Sequence, residues 1–152
     1  MAKLIASLHA VSCCDPRCVP EHFFNLRPGE VVVHRNAGGN IRPAIRDIII
    51  LDTLVRLDEV IIVHHTDCGT LRFTDQQLRD ALKARVDKTH WDEIDGMEFG
   101  ESSDVIESVK ENLNWFQASP LIRDGLKQRT QGFVYDIKTG RVAKVDGAGL
   151  LP

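Results

Sequence analysis

No apolar run in this sequence reaches the ~20 residues that a membrane-spanning helix needs, because Arg46, Asp47, Asp52, Arg56 and Asp58 interrupt the greasiest stretch. Positive charge is not in excess either: 19 Lys+Arg stand against 22 Asp+Glu, a net charge of −3. Such a surface offers a phosphate backbone no general attraction. The expectation is no membrane and no nucleic-acid partner. Cysteine is too scarce for a disulfide framework, with four in 152 residues. Their grouping as Cys13, Cys14 and Cys18, then Cys68, suits metal or redox chemistry in a reducing, cytoplasmic compartment. There is no internal repeat and no low-complexity tract. What is present is an ordinary globular mixture, 43% hydrophobic and 27% charged, at a length that closes one core. Residues 1–152 are therefore expected to form a single domain.

The pattern of apolar residues predicts alternating strands and helices. Lys3 followed by Leu4 to Val11 imitates a signal peptide. However, the run contains His9, and cleavage beyond it would cut into the Cys13 cluster, so a buried first strand over Leu4 to Ser12 is the better reading. A short helix is expected over Pro20 to Leu26 and a second strand over Glu30 to Arg35, followed by the Gly-rich turn Asn36 to Asn40. Ile45, Ile48, Ile49, Leu51, Leu54 and Val55 recur at helical spacing within Pro43 to Leu57. Glu59 to His64 is a third strand. Thr74 to Val86 reads as an exposed helix capped by Thr74 or Asp75, and Lys88 to Gly100 as loop. Another helix opens at Ser103 or Asp104, with Val105, Val109, Leu113 and Phe116 in one stripe, and ends at Pro120. Gly132 to Ile137 and Arg141 to Val145 flank the hairpin signal Lys138-Thr139-Gly140. The fold class is α/β: a central, mostly parallel sheet of four strands with an additional edge strand and helices on both faces.

Ligands of such sheets gather at the carboxyl ends of strands, and two clusters lie there: Cys13-Cys14-Asp15-Pro16-Arg17 and His65-Thr66-Asp67-Cys68-Gly69. Cys13, His65 and Cys68 supply two thiolates and an imidazole, donors that zinc prefers, and three protein ligands leave a fourth position open, as in catalytic sites. Two thiolates make the metal less acidifying than three imidazoles would. Asp15 is placed to accept the proton of a metal-bound hydroxide, and Arg17 to grip that carboxylate as a bidentate pair. Freed from Arg17, Asp15 could occupy the fourth position and block it.

The motif C-x-D-x-R on one strand tip and H-x-x-C on another, with an Arg-Asn-Ala-Gly loop between them, resembles the β-class carbonic anhydrases, most closely their short, archaeal-like branch. The resemblance runs from Leu4 to Val145 and includes Ser119 to Ile122 and Asp136 to Gly140. It implies Zn2+, one per chain, on Cys13, His65 and Cys68, with Asp15 and Arg17 as catalytic dyad. The implied activity is reversible hydration of carbon dioxide to bicarbonate and a proton by a zinc-bound hydroxide, in a homodimer or higher even homo-oligomer. Two departures stand out. Family members usually carry a helical arm ahead of the first strand, which here begins almost at Met1. His64 stands where the family usually has glycine, so its imidazole either crowds the site, shuttles protons or points away.

Gly38 and Gly69 are candidate walls of the substrate pocket, although Gly38 and Gly39 also suit a tight turn that needs positive backbone dihedrals. Cys14 and Cys18 read as spectators, and His9, His22, His34 and His90 as structural. Trp91, Trp115 and Phe116 read as core or interface anchors. Two other functions fit the same residues: hydrolysis of carbon disulfide or carbonyl sulfide on the same fold, and a non-catalytic, zinc-stabilised domain that binds bicarbonate.

Overall fold

The computed structural model describes residues 7–146 and the backbone of 149–150. Its centre is four parallel strands, β1 (Leu8–Cys13), β2 (Val31–Asn36), β3 (Glu59–His65) and β4 (Thr130–Tyr135). β5 (Val142–Asp146) returns antiparallel to β4, and the two-residue β6 (Gly149–Leu150) pairs antiparallel to β5, giving the order β2-β1-β3-β4-β5-β6. The expected parallel sheet with an antiparallel edge is present, extended by β6. Of the first strand, Leu4 to Ala6 lies outside the described residues. In β3 every residue from Val60 to His65 is buried, as a parallel strand covered on both faces requires.

Two long helices, α2 (Ile41–Val55) and α5 (Val105–Ala118), pack on one face, and α1 (Pro20–Phe23) covers part of the other. Ile41, Ala44 and Ile48 of α2 join Val11, Val60, Ile62 and Phe116 in the main core. Fully burying an aliphatic or Phe side chain contributes about 1.5–3 kcal/mol, so this cluster supplies much of the stabilisation. On the opposite face, Phe23 stacks on Tyr135 at 4.3 Å and Phe24 meets Phe133 edge-on at 5.2 Å.

Two sequence readings need correction, and two short elements were not expected. Helix α2 starts two residues before Pro43, because Asn40 caps it by accepting from the Arg42 amide at 3.0 Å; the missing proline N–H falls in a first turn with no intrahelical acceptor anyway. The segment expected as loop after Lys88 contains a 3₁₀ turn (Lys88–His90) and α4 (Trp91–Asp95), started by the Asp87 side chain accepting from Thr89 N at 2.9 Å. Five residues with one buried apolar side chain, Ile94, are too few to show a periodicity. The short α6 (Asp124–Lys127), which buries Leu126, and the 3₁₀ turn Gly69–Arg72 were not expected for the same reason. In α3 (Asp75–Lys83), Thr74, one of the two expected caps, is the N-cap and forms a full capping box with Gln77.

After β1 the chain adds β2 on one side of it, then crosses through α2 to place β3 on the other. The reversal opens a crevice beyond the carboxyl ends of β1 and β3, where open α/β sheets bind ligands. No helix among the described residues is long and apolar enough to cross a membrane.

Candidate metal centre

Cys13 ends β1 and His65 ends β3, and the turn after β3 brings Cys68 back over the crevice. The two sulfurs lie 3.9 Å apart, and the donor atoms of Cys13, His65 and Cys68 all fall within 4.8 Å of one another, all three residues buried. Tetrahedral zinc with bonds of about 2.0–2.3 Å spaces its ligands about 3.5–3.8 Å apart, so small side-chain adjustments complete the cage. His65 Nδ1 donates to Thr66 O at 2.8 Å, which leaves the lone pair on Nε2. That atom is buried and has no hydrogen-bond partner. A dry, unpaired imidazole nitrogen beside two sulfurs is what a cation would satisfy. The residues present fit zinc, and among the described residues no other His/Cys/Asp/Glu group converges in this way.

The electrostatics point the same way. The Cys68 thiol is pulled well down by hydrogen bonding from the Cys13 thiol, and with help from His65 and Thr70, whose Oγ1 stands 3.0 Å from Cys68 Sγ. The Cys13 thiol is pushed up by its bond to Cys68 and by burial. The pair yields one thiolate easily and resists a second until a divalent ion compensates the charge. Burial opposes protonation of His65, but the Cys68 sulfur, the Thr66 carbonyl and the Asp15 carboxylate outweigh it and raise its pKa.

Asp15 and Arg17 face each other at the mouth. Arg17 donates from Nε to Asp15 Oδ1 at 3.0 Å and from Nη2 to Oδ2 at 2.7 Å, while its amide also reaches Oδ1 at 2.9 Å. The Arg17 side chain and amide hold the Asp15 carboxyl well below the usual carboxylate range. Asp15 Oδ2 lies 4.0 Å from His65 Nε2. Gly38 and Gly69 both line a cleft of about 570 Å³ that reaches Cys13, Asp15 and Cys68, with Phe73, Leu78 and Phe99 among its apolar walls.

Sequence reasoning missed several supports. Arg35, at the end of β2, donates to the carbonyls of Cys13 (3.2 Å), Asp15 (2.7 Å) and Cys18 (2.6 Å) and so shapes the Cys13 loop. The only local signal was an arginine at a strand tip before a Gly-rich turn. Gly38 and Gly39 do have the positive φ that the sequence suggested, 73° and 72°; what it did not show is that Gly39 crosses over both tips, where a Cβ would meet Val63 O at 2.9 Å and Cys13 N at 3.1 Å. His64 resolves among its three readings by pointing away. Nδ1 stands 2.6 Å from Ser108 Oγ and Nε2 3.1 Å from Gly39 O, and burial lowers its pKa to about 4. With both ring nitrogens engaged in the interior, it braces the glycine turn. Cys14 is exposed, whereas Cys18 is fully buried and pushed up to about 11 by burial.

Known proteins share this architecture. The family model for carbonic anhydrase matches residues 8–142. β-Carbonic anhydrase 1 of Mycobacterium tuberculosis is 32% identical over 89% of this chain and 79% of its own length. A carbon disulfide hydrolase of an Acidianus strain is 29% identical over 90% of this chain and 76% of its own. The solved structure of a carbonic anhydrase from Glaciozyma antarctica superposes with a TM-score of 0.85 at 33% identity, covering 96% of this chain and 85% of that one. With the Cys-His-Cys donors at the crevice of the matching sheet, this chain is a member of the β-class carbonic anhydrase family.

Proposed function

We propose that this protein catalyses the reversible reaction of carbon dioxide and water to bicarbonate and a proton, with one zinc ion held by Cys13, His65 and Cys68. The observation that carries this reading is the convergence of those donors beside a carboxylate that a bidentate arginine turns away from them. When bound, zinc supplies a water acidified toward neutral pH and a positive charge beside the substrate. Asp15 Oδ2 accepts a hydrogen bond from the attacking water and aims its lone pair. Arg17 keeps Asp15 ionised and in place. Gly38 and Gly69 leave the cleft wall low enough for a small linear molecule, and the apolar side chains opposite favour an uncharged one over an ion. His64 has no free nitrogen to carry the proton, which therefore leaves by the cleft to buffer. Stopped-flow measurement with a pH indicator is expected to show zinc-dependent hydration; a fully metallated sample with none rejects the reading.

A second reading has its own support, since the carbon disulfide hydrolase relative matches this chain over a similar span. Carbon disulfide and carbonyl sulfide are also linear and apolar. Hydrogen sulfide release from either substrate, faster than carbon dioxide hydration, is the outcome that favours it.

The short, archaeal-like branch is the further placement we propose, on the C-x-D-x-R and H-x-x-C spacing, with the chain acting as a single domain. A homodimer or higher even assembly is supported by the half-buried sheet face of Val31, Val33, Phe133 and Tyr135; light scattering tests it. Free thiols at Cys13, Cys14, Cys18 and Cys68 suit the cytoplasm.

A further inference from the structure

We propose that Asp67, braced by Arg72, is a positioning residue that holds Arg17 on Asp15 and thereby keeps the fourth ligand position of the metal centre open. The inference rests on the zinc reading above. Arg17 has 47% of its side chain exposed, against 17% for Asp15, so water competes for the guanidinium on its open side. Its bidentate contact with Asp15 engages Nε and Nη2 and leaves Nη1, the remaining arm of the fork, for another partner. A second grip takes up that arm. While Nε and Nη2 hold Asp15, Nη1 donates to Asp67 Oδ2 at 3.1 Å and Nη2 reaches Asp67 O at 3.4 Å. Two carboxylates thus engage the planar fork from two directions, and this fixes its orientation. The remaining Asp67 oxygen, Oδ1, accepts from Arg72 Nη2 at 2.5 Å. The result is a continuous chain of charges, Arg72–Asp67–Arg17–Asp15, that ties the turn after β3 to the tip of β1.

The backbone reinforces the grip. Asp67 sits between His65 and Cys68 with φ 55°, a left-handed conformation that Asp and Asn adopt more readily than other non-glycine residues. The turn that delivers two metal ligands therefore also aims the carboxylate that restrains Arg17. Asp15 Oδ2 is only 4.0 Å from His65 Nε2, so a carboxylate that escapes Arg17 has a short path to the metal. Loosening Asp67 should let Asp15 compete with any exogenous ligand.

Cobalt(II)-loaded protein titrated with thiocyanate, followed by visible absorption, tests this without reliance on turnover. In Asp67→Asn, which keeps the left-handed turn, thiocyanate affinity is expected to fall by about fivefold or more while cobalt content and melting temperature hold. Arg72→Ala, which removes only the brace, should shift it in the same direction and less. In an Asp15→Ala background the Asp67→Asn effect should vanish, because nothing remains to compete. Unchanged affinity in both single variants, or a loss that persists without Asp15, overturns the proposal and leaves the zinc reading intact. A wild-type protein that takes up cobalt but binds no thiocyanate and hydrates no carbon dioxide overturns both.

Discussion

Oδ2 of Asp15 stands 4.0 Å from Nε2 of His65, yet both carboxylate oxygens are turned onto Arg17. The same side chain is thus close enough to block the metal centre and is held where it can orient a water instead.

Removing that carboxylate separates catalysis from metal binding. Asp15→Ala is expected to keep one zinc per chain and a native melting curve, because Asp15 is not among the converging donors, while hydration slows by about 100-fold or more. Stopped-flow assays paired with metal analysis check it. Full activity in the variant would remove Asp15 from the mechanism.

Loss of a donor should have the opposite signature. Cys13→Ser, Cys68→Ser and His65→Ala each leave two good ligands, and the zinc:chain ratio after dialysis should fall from about one to below about 0.2. For the wild type, added zinc should raise the melting temperature, since an ion that binds only the folded chain stabilises it. Zinc retention at the wild-type ratio in all three variants would place the ion elsewhere.

Acid stability should depend on His9, which is buried beneath α2 with neither ring nitrogen hydrogen-bonded. Burial, then the nearby His34, lowers its pKa to about 4 from an ordinary value of 6.5, while Asp47 opposes the shift. Between those values the unfolded chain binds a proton that the folded chain refuses, so stability falls as pH drops through that window. His9→Leu should remove a loss on the order of 2–3 kcal/mol between pH 6.5 and 4, with the residual slope due in part to His64. Urea unfolding at several pH values measures this, and an unchanged slope would contradict it.

Two glycines of the site should respond differently to alanine. Gly39→Ala sets a side chain at φ 72° against Val63 O and Cys13 N and should cost about 1–3 kcal/mol in urea unfolding. Gly69→Ala meets nothing within 4 Å, so stability should stay within about 0.5 kcal/mol, and any effect should appear in turnover. Equal costs at both positions would contradict this assignment of space.

Much of the architecture was legible because it is written in local signals. The continuous apolar runs Ala10-Val11 and Val60 to Val63 mark strands buried on both faces, and the i, i+3, i+4 pattern around Ile45 to Val55 marks α2. The short α4 and α6 were not legible, because a helix of four or five residues shows less than two turns of pattern and depends on caps and neighbours to exist. Sequence distance hid the other work of Asp75, whose carboxylate collects the amides of Phe99 (3.1 Å) and Glu101 (3.0 Å), 24 and 26 positions away.

The amino-acid sequence by itself determined the donor types, their places at two strand ends and the carboxylate–arginine spacing, because each is a matter of residue identity and short-range period. Only the tertiary structure decided that Arg35 ties the Cys13 loop together, that His64 turns inward to Ser108 and Gly39, and that Asp67 shares the guanidinium of Arg17. Those contacts join residues 22, 44 and 50 positions apart. Parallel pairing of β1 with β2 and β3 sets such distances, and no local pattern in the chain encodes them.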